Sequence, residues 1–189
     1  GKVDRVVTVQ NEPKFWPEHD DPELVAKALG LKLSDFDLDR MPPQMVSTGL
    51  SWLIAPVRTR KAVENITPDI QAYTQIVKGF PKGVTDIYVT CFEPLDASST
   101  IHSRGFSLVL GSVVEDPATG SASGDIGAYL VSRRLVKGDR TVRIVNEQGY
   151  EIGRPSKITI EVEKDLDGAP KTVRVGGSIV KMMDGFAYL

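Results

Sequence analysis

The chain has 189 residues, enough to bury a sizeable core, and its 41% hydrophobic and 25% charged content are those of a globular domain. Its 23 basic and 25 acidic residues leave a net charge of -2, which offers no footprint for nucleic acid or an anionic membrane. A single cysteine, Cys91, excludes an internal disulfide and suits a reducing cytoplasm, and no stretch reads as a signal peptide or a bilayer span.

In chain order, residues 2–10 alternate as a strand, with Val3, Val7 and Val9 on one face. Residues 11–20 form a polar connection in which Phe15 and Trp16 are candidate anchors against an apolar surface. Asp21-Pro22-Glu23 supplies a cap, a proline at the first helical position and an acid in the first turn, and that helix stops at Gly30. Residues 35–43 are irregular. Residues 44–57 hold two strand-like pieces about Thr48-Gly49, and 58–65 a short helical turn. Residues 68–78 form an amphipathic helix with Ile70, Tyr73, Ile76 and Val77 on its apolar side. A β-rich run over 84–92 and a polar loop lead to a strand at 102–110, and the apolar run Leu108 to Val114 is expected as a buried strand. A helix follows over 123–135 and stops at Lys137-Gly138-Asp139. Strands are expected at 141–146 and 156–163, with 147–153 as a connection. Residues 171–175 are expected to pair with 178–182, before a closing segment at 185–189. Many strands against one central glycine-rich helix argue for an α+β fold.

Between strand and central helix lies Glu115-Asp116-Pro117-Ala118-Thr119-Gly120-Ser121-Ala122. Asp-Pro and Thr-Gly are turn dipeptides, and Pro117 biases Asp116 away from helical geometry. The helix N-terminus presents unpaired N–H groups and the positive end of the macrodipole, a cradle for a small anion or carboxylate. An ordinary Ser- or Thr-capped helix start without a ligand reads equally well. No Lys follows the glycine and the GxGxxG spacing is missing, so this is neither a Walker A loop nor a dinucleotide fingerprint. Gly124 and Gly127 inside the helix each cost about 1 kcal/mol relative to alanine, which predicts close approach by other parts of the chain.

The stretch resembles the EDPATGSA signature of the phenazine-biosynthesis PhzF-like family. Val46-Ser47-Thr48-Gly49-Leu50-Ser51-Trp52-Leu53-Ile54-Ala55-Pro56-Val57 resembles that family's VSTGLPWLIVPV strand, and Arg104-Gly105-Phe106 its RxF element. Glu147-Gln148-Gly149, Gly153-Arg154-Pro155-Ser156, Val175-Gly176-Gly177-Ser178-Ile179-Val180 and Asp184-Gly185 follow in the family's order. Leu108 stands where many members have proline. The resemblance implies a mixed β-sheet rolled into a barrel-like wrap around the central helix, as in diaminopimelate epimerases. It further implies two pseudo-symmetric halves with the active site between them, of which this chain resembles the second. On that basis residues 1–10 are expected to be a remnant strand of an absent N-terminal domain. Residues 11–43 are expected as a linker with a short helix. Residues 44–189 are expected as the C-terminal domain, with a last strand free to pack back toward the first half.

By the same resemblance Asp116, Gly120, Ser121 and Ala122 are the candidate substrate-binding residues. Asp116 would hold an amine or hydroxyl, Ser121 a carboxylate, and Gly120 and Ala122 would contribute backbone N–H groups. No catalytic residue is assigned in this chain, because the family's glutamate and its GHxT histidine have no counterpart here. Related epimerases place a cysteine in the corresponding turn, and Thr119-Gly120-Ser121 offers no thiol. Glu115 is expected as a structural partner and Cys91 as a buried, inert thiol. Arg104 and Arg154 have carboxylate binding or structural pairing open to them. His19 and His102 do not form a metal site, and no metal or cofactor is expected. Two functions remain. One is the C-terminal half of a cofactor-independent proton-transferring isomerase for a small carboxylated metabolite, acting in the cytoplasm with an N-terminal half. The other is a non-catalytic ligand-binding or scaffold domain. Either implies association with that half-domain or with a second copy, and neither with nucleic acid or membrane.

Overall fold

The computed structural model describes residues 4–180, 182–183 and 185–186. Ten strands and four α-helices occur among them: β1 (Arg5–Val9), β2 (Lys14–Glu18), α1 (Pro22–Ala28), β3 (Gln44–Ser47), β4 (Ser51–Pro56), α2 (Arg60–Glu64), α3 (Ile70–Val77), β5 (Asp86–Cys91), β6 (Ile101–Val109), β7 (Ser112–Asp116), α4 (Gly120–Ser132), β8 (Thr141–Gln148), β9 (Ser156–Lys164) and β10 (Pro170–Ser178). The strands join one sheet in the order β1-β10-β9-β8-β6-β5-β4-β3-β2, with β7 hairpinned onto β6. β4–β5 and β6–β8 run parallel and the other pairs antiparallel. The sheet curls until β9 and β10 at one end and β3 and β4 at the other all touch α4. The expected α+β wrap around a central helix is the observed fold.

Strand periodicity splits the core in two. On β4, Trp52 and Ile54 face α4 while Leu53 and Ala55 face outward. On β5, Tyr88 points inward and Ile87, Val89 and Cys91 outward. α1 and α3 cover that outer face with Val25, Ala28, Tyr73 and Ile76. Strands covered on both faces read as nearly unbroken apolar runs, as 52–57 and 87–91 do. Each fully buried Leu or Ile contributes about 1.5–3 kcal/mol.

The glycines of α4 sit where the wrap is tightest. A Cβ on Gly127 would fall 2.5 Å from Ile160 Cγ2, and one on Gly124 would fall 2.5 Å from Thr48 Oγ1. The predicted start of α1 is realised: Asp21 accepts from the Leu24 amide at 2.8 Å, and Gly30 takes φ +67 after the helix.

Several expectations are corrected. Residues 11–20 are not a bare connection, since β2 pairs with β3 and Trp16 packs on the outer core. The run Leu108 to Val114 is a hairpin rather than a buried strand. Leu110 (φ 48) and Gly111 (φ 79) form its two-residue turn, both positive as right-twisted strands require, and Leu110 is fully exposed. Ile70 begins α3 and is 41% exposed, while Ala72, Tyr73 and Ile76 carry the buried face. The central helix runs Gly120–Ser132 instead of 123–135. Arg134 (φ 56) ends it in the left-handed position usually filled by glycine, with Arg134 N–H donating to the Val131 carbonyl and Leu135 N–H to that of Leu130. Glu147 and Gln148 extend β8. Residues 170–178 are one strand, paired to β9 on one side and β1 on the other, so 171–175 does not fold back on 178–182. Gly176 serves close approach rather than a turn, because a Cβ there would lie 2.5 Å from the Val6 carbonyl oxygen. Residues 1–10 contribute β1 beside β10, with Val3 and the final residues 187–189 outside the described set.

Candidate functional site

β7 ends at Asp116 opposite Gly105 of β6. A Cβ on Gly105 would lie 3.0 Å from Thr119 Oγ1 and 3.2 Å from the Tyr88 ring, so glycine lets the bend fold down onto the sheet. Thr119 occupies the cap position of α4, yet its hydroxyl makes no capping bond. It donates instead to Asp116 Oδ2 at 2.8 Å. Ser123 N–H reaches the Thr119 carbonyl, while the amides of Gly120, Ser121 and Ala122 have no acceptor among the described residues. The mouth of α4 is therefore open for an anion rather than closed by its own side chains.

A buried chain of side chains fixes this bend from behind. Asn146 Nδ2 donates to Tyr88 OH at 2.7 Å, and Tyr88 OH donates to Gln148 Oε1 at 2.8 Å. Gln148 Nε2 donates to the Asp116 carbonyl at 2.6 Å and to Thr119 Oγ1 at 2.8 Å, while Gln148 Oε1 also accepts from Thr119 N–H at 3.0 Å. The side-chain donors from Asn146 through Tyr88, Gln148 and Thr119 run toward Asp116, whose Oδ2 ends the chain as an acceptor, while the Thr119 amide donates back to Gln148. Burial pushes the Tyr88 hydroxyl up to about 12, against its bond from Asn146, so it stays a neutral donor near neutral pH.

The four candidate residues gather at this mouth with different aspects. Asp116 and Gly120 are exposed, and a Cβ on Gly120 would meet nothing within 4 Å. Gly120 and Ala118 line a groove of ≈ 550 Å³ whose far wall is Thr8 of β1, Lys157 of β9 and Gly176 of β10. Ser121 is half-buried and turns the other way, its Oγ accepting from Trp52 Nε1 at 3.1 Å. The Ala122 methyl is wholly buried in the inner core, so that residue has only its amide to offer.

Other singled-out residues have structural partners. Arg104 donates to both oxygens of Glu115 (3.0 and 2.6 Å) and to the carbonyls of Val63 and Ile66. Cys91 is buried, and burial pushes its thiol up to about 11, against the bond to the Glu93 carbonyl. Among the described residues no three His, Cys, Asp or Glu side chains are arranged to hold a metal ion. Gln148, Thr119, Tyr88 and Asn146 escaped the sequence reading as site-forming residues, although Gln148 lies in the quoted Glu147-Gln148-Gly149 element. His102, which the sequence places in no metal site, lies fully buried between Glu147 and Glu151.

The family described as phenazine biosynthesis-like protein, PhzC-PhzF, matches residues 1–185. The chain is similar to trans-2,3-dihydro-3-hydroxyanthranilate isomerase of Pseudomonas aeruginosa, with 34% identity over 184 residues covering 96% of this chain and 59% of the relative. It is also similar to an uncharacterized isomerase of Bacillus subtilis, with 32% identity over 155 residues covering 82% of this chain and 51% of the relative. The crystal structure of a Bacillus anthracis phenazine biosynthesis protein of the PhzF family superposes with a TM-score of 0.80 at 29% identity, over 92% of this chain and 57% of that one. The chain thus spans about half the length of the curated relatives it matches.

Proposed function

Because the chain belongs to the phenazine biosynthesis-like (PhzC-PhzF) family, we propose that it is the substrate-holding part of an isomerase that moves a proton on a small carboxylated metabolite. The open mouth of α4 carries this reading. Three unpaired amides and the dipole's positive end suit a carboxylate, and Asp116, pinned through Oδ2, keeps Oδ1 for a substrate amine or hydroxyl. In such a reaction a proton leaves one carbon and returns to another without net oxidation, so neither metal nor redox cofactor is called for. Asp116 and the amides orient the substrate, and Ser121 helps from the Trp52 side. The general acid/base, the glutamate implied by the family resemblance, comes from residues other than those described, on an N-terminal half or a partner polypeptide. The length of the relatives, about twice the matched region, supports this division. A cytoplasmic setting suits the reduced Cys91.

The named activity of the Pseudomonas relative makes 3-hydroxyanthranilate a fitting probe. In calorimetry the chain should bind this cyclic carboxylate, and Asp116→Asn should weaken binding about tenfold or more. Binding unaffected by Asp116→Asn, or no heat at millimolar probe, would overturn the proposal.

A further inference from the structure

His102 stands on β6 with no exposed surface and both ring nitrogens facing carboxylates: Nδ1 lies 3.3 Å from Glu147 Oε2 and Nε2 2.7 Å from Glu151 Oε1. An ionised carboxylate only accepts, and a neutral imidazole has one donor, so both contacts are hydrogen bonds only when the ring carries two protons. Glu147 is held as an anion by the amides of Leu95 and Asp96, each at 2.8 Å. Glu151 sits in the turn after β8, at residues 149–154. That turn touches the bend directly. A Cβ on Gly149 (φ +82) would fall 2.7 Å from the Pro117 carbonyl oxygen, and Gln148, one residue earlier, is the side chain that binds Asp116 and Thr119.

We propose that His102 is a positioning residue: as an imidazolium between Glu147 and Glu151 it clamps the 149–154 turn onto the Asp116–Gly120 bend and so holds the mouth of α4 in shape. The importance of that shape rests on the reading of the mouth as a ligand seat, but the clamp itself is testable without a ligand.

The charged neighbours agree with this assignment. Tyr150 of the turn lies with its ring centroid 5.6 Å from that of His102, and Cys91 of β5 is the cross-strand neighbour. The nearby cations are already engaged, Lys157 of β9 by Asp96 and Arg104 of β6 by Glu115, which leaves His102 as the cation for the buried Glu147 and the half-buried Glu151. Burial alone would lower the His102 pKa, but the bond and charge of Glu151, then those of Glu147, outweigh it and leave it above the ordinary value. Both glutamates are held below theirs, burial being outweighed by the Leu95 and Asp96 amides at Glu147 and by His102 at Glu151. The clamp is therefore closed below the raised His102 pKa and opens as rising pH removes the imidazolium proton.

Solution NMR on the whole chain tests this. The His102 ring should titrate above the ordinary histidine value of about 6.5. As it does, the Thr119 amide, bonded to Gln148 Oε1, and the Gly153 and Arg154 amides of the turn should lose exchange protection about tenfold, after correction for intrinsic pH dependence. Core amides of β4 and β5 should keep theirs. His102→Gln should abolish the pH step. Glu151→Gln, a milder change should that variant not fold, should move the ring titration to lower pH and loosen the same three amides. A ring titrating at or below the ordinary value, or Thr119 protection indifferent to the state of His102, overturns the proposal. If 3-hydroxyanthranilate gives no heat while the exchange step is present, the ligand reading fails and the clamp stands.

Discussion

Asp125, in the second turn of α4, gives a pH prediction with a worked magnitude. Its Oδ1 accepts from Thr48 N–H at 2.6 Å and Thr48 Oγ1 at 2.8 Å, but Oδ2 is buried without a partner. Burial pushes this carboxyl from 3.8 up to about 8, against the two Thr48 donors. An acid whose folded pKa is raised loses stability as pH climbs from the unfolded value to the folded one. At about pH 5 the unfolded chain already prefers the ionised form, and by about pH 8 that preference has grown by about three pH units. At about 1.4 kcal/mol per unit, this is at most about 4 kcal/mol. Asp125→Asn keeps an acceptor for Thr48 and cannot ionise. Its extra unpaired N–H groups should leave it about 1–3 kcal/mol less stable at about pH 5. Urea unfolding from about pH 5 to about pH 8 should then show the natural chain losing ground to the variant by up to about 4 kcal/mol. Parallel pH dependences for the two would refute the assignment of a protonated, desolvated carboxyl.

Gly127→Ala should destabilise by about 1–3 kcal/mol in thermal unfolding despite alanine's better helix propensity, because its methyl would press on Ile160; a gain in stability would count against the tight wrap. Gly120→Ala should leave stability unchanged or slightly raised, with open space around the new methyl, while weakening anion binding measured by calorimetry. Arg104→Lys keeps the charge but loses the two-pronged grip on Glu115 and the carbonyls of Val63 and Ile66, and should cost about 2–4 kcal/mol in urea unfolding.

What the sequence discloses here is whatever has a local chemical signature. Asp21-Pro22 and Gly30 mark the ends of α1 through backbone rules that act within a few residues. Gly124 and Gly127 announce the tight wrap because glycine in a helix needs a reason, and Thr48 and Ile160 are that reason. The hairpin at Leu110-Gly111 and the helix end at Arg134 stay hidden, since leucine and arginine there adopt a left-handed geometry their side chains do not advertise. The candidate residues Asp116, Gly120, Ser121 and Ala122 lie within one short stretch and so are visible as a group. Their support is not: Gln148 lies 29 residues from Thr119, and His102 lies 45 and 49 from its two glutamates, so only the fold brings them together.

The side chain at position 148 has a consequence for which replacements the fold accepts. It must give two protons on one side and take two on the other, and of the natural side chains reaching that far only a primary amide does both. Glutamate would set one anion against the Asp116 carbonyl, and methionine would fill the space while falling silent to all four neighbours. Tyr88 and Asn146 also forbid the amide to rotate end for end, because a flipped Gln148 would point nitrogen at a hydroxyl proton and oxygen at two acceptors. A tyrosine inside the barrel thus dictates the handedness of an amide that in turn sets where an aspartate at the surface can aim.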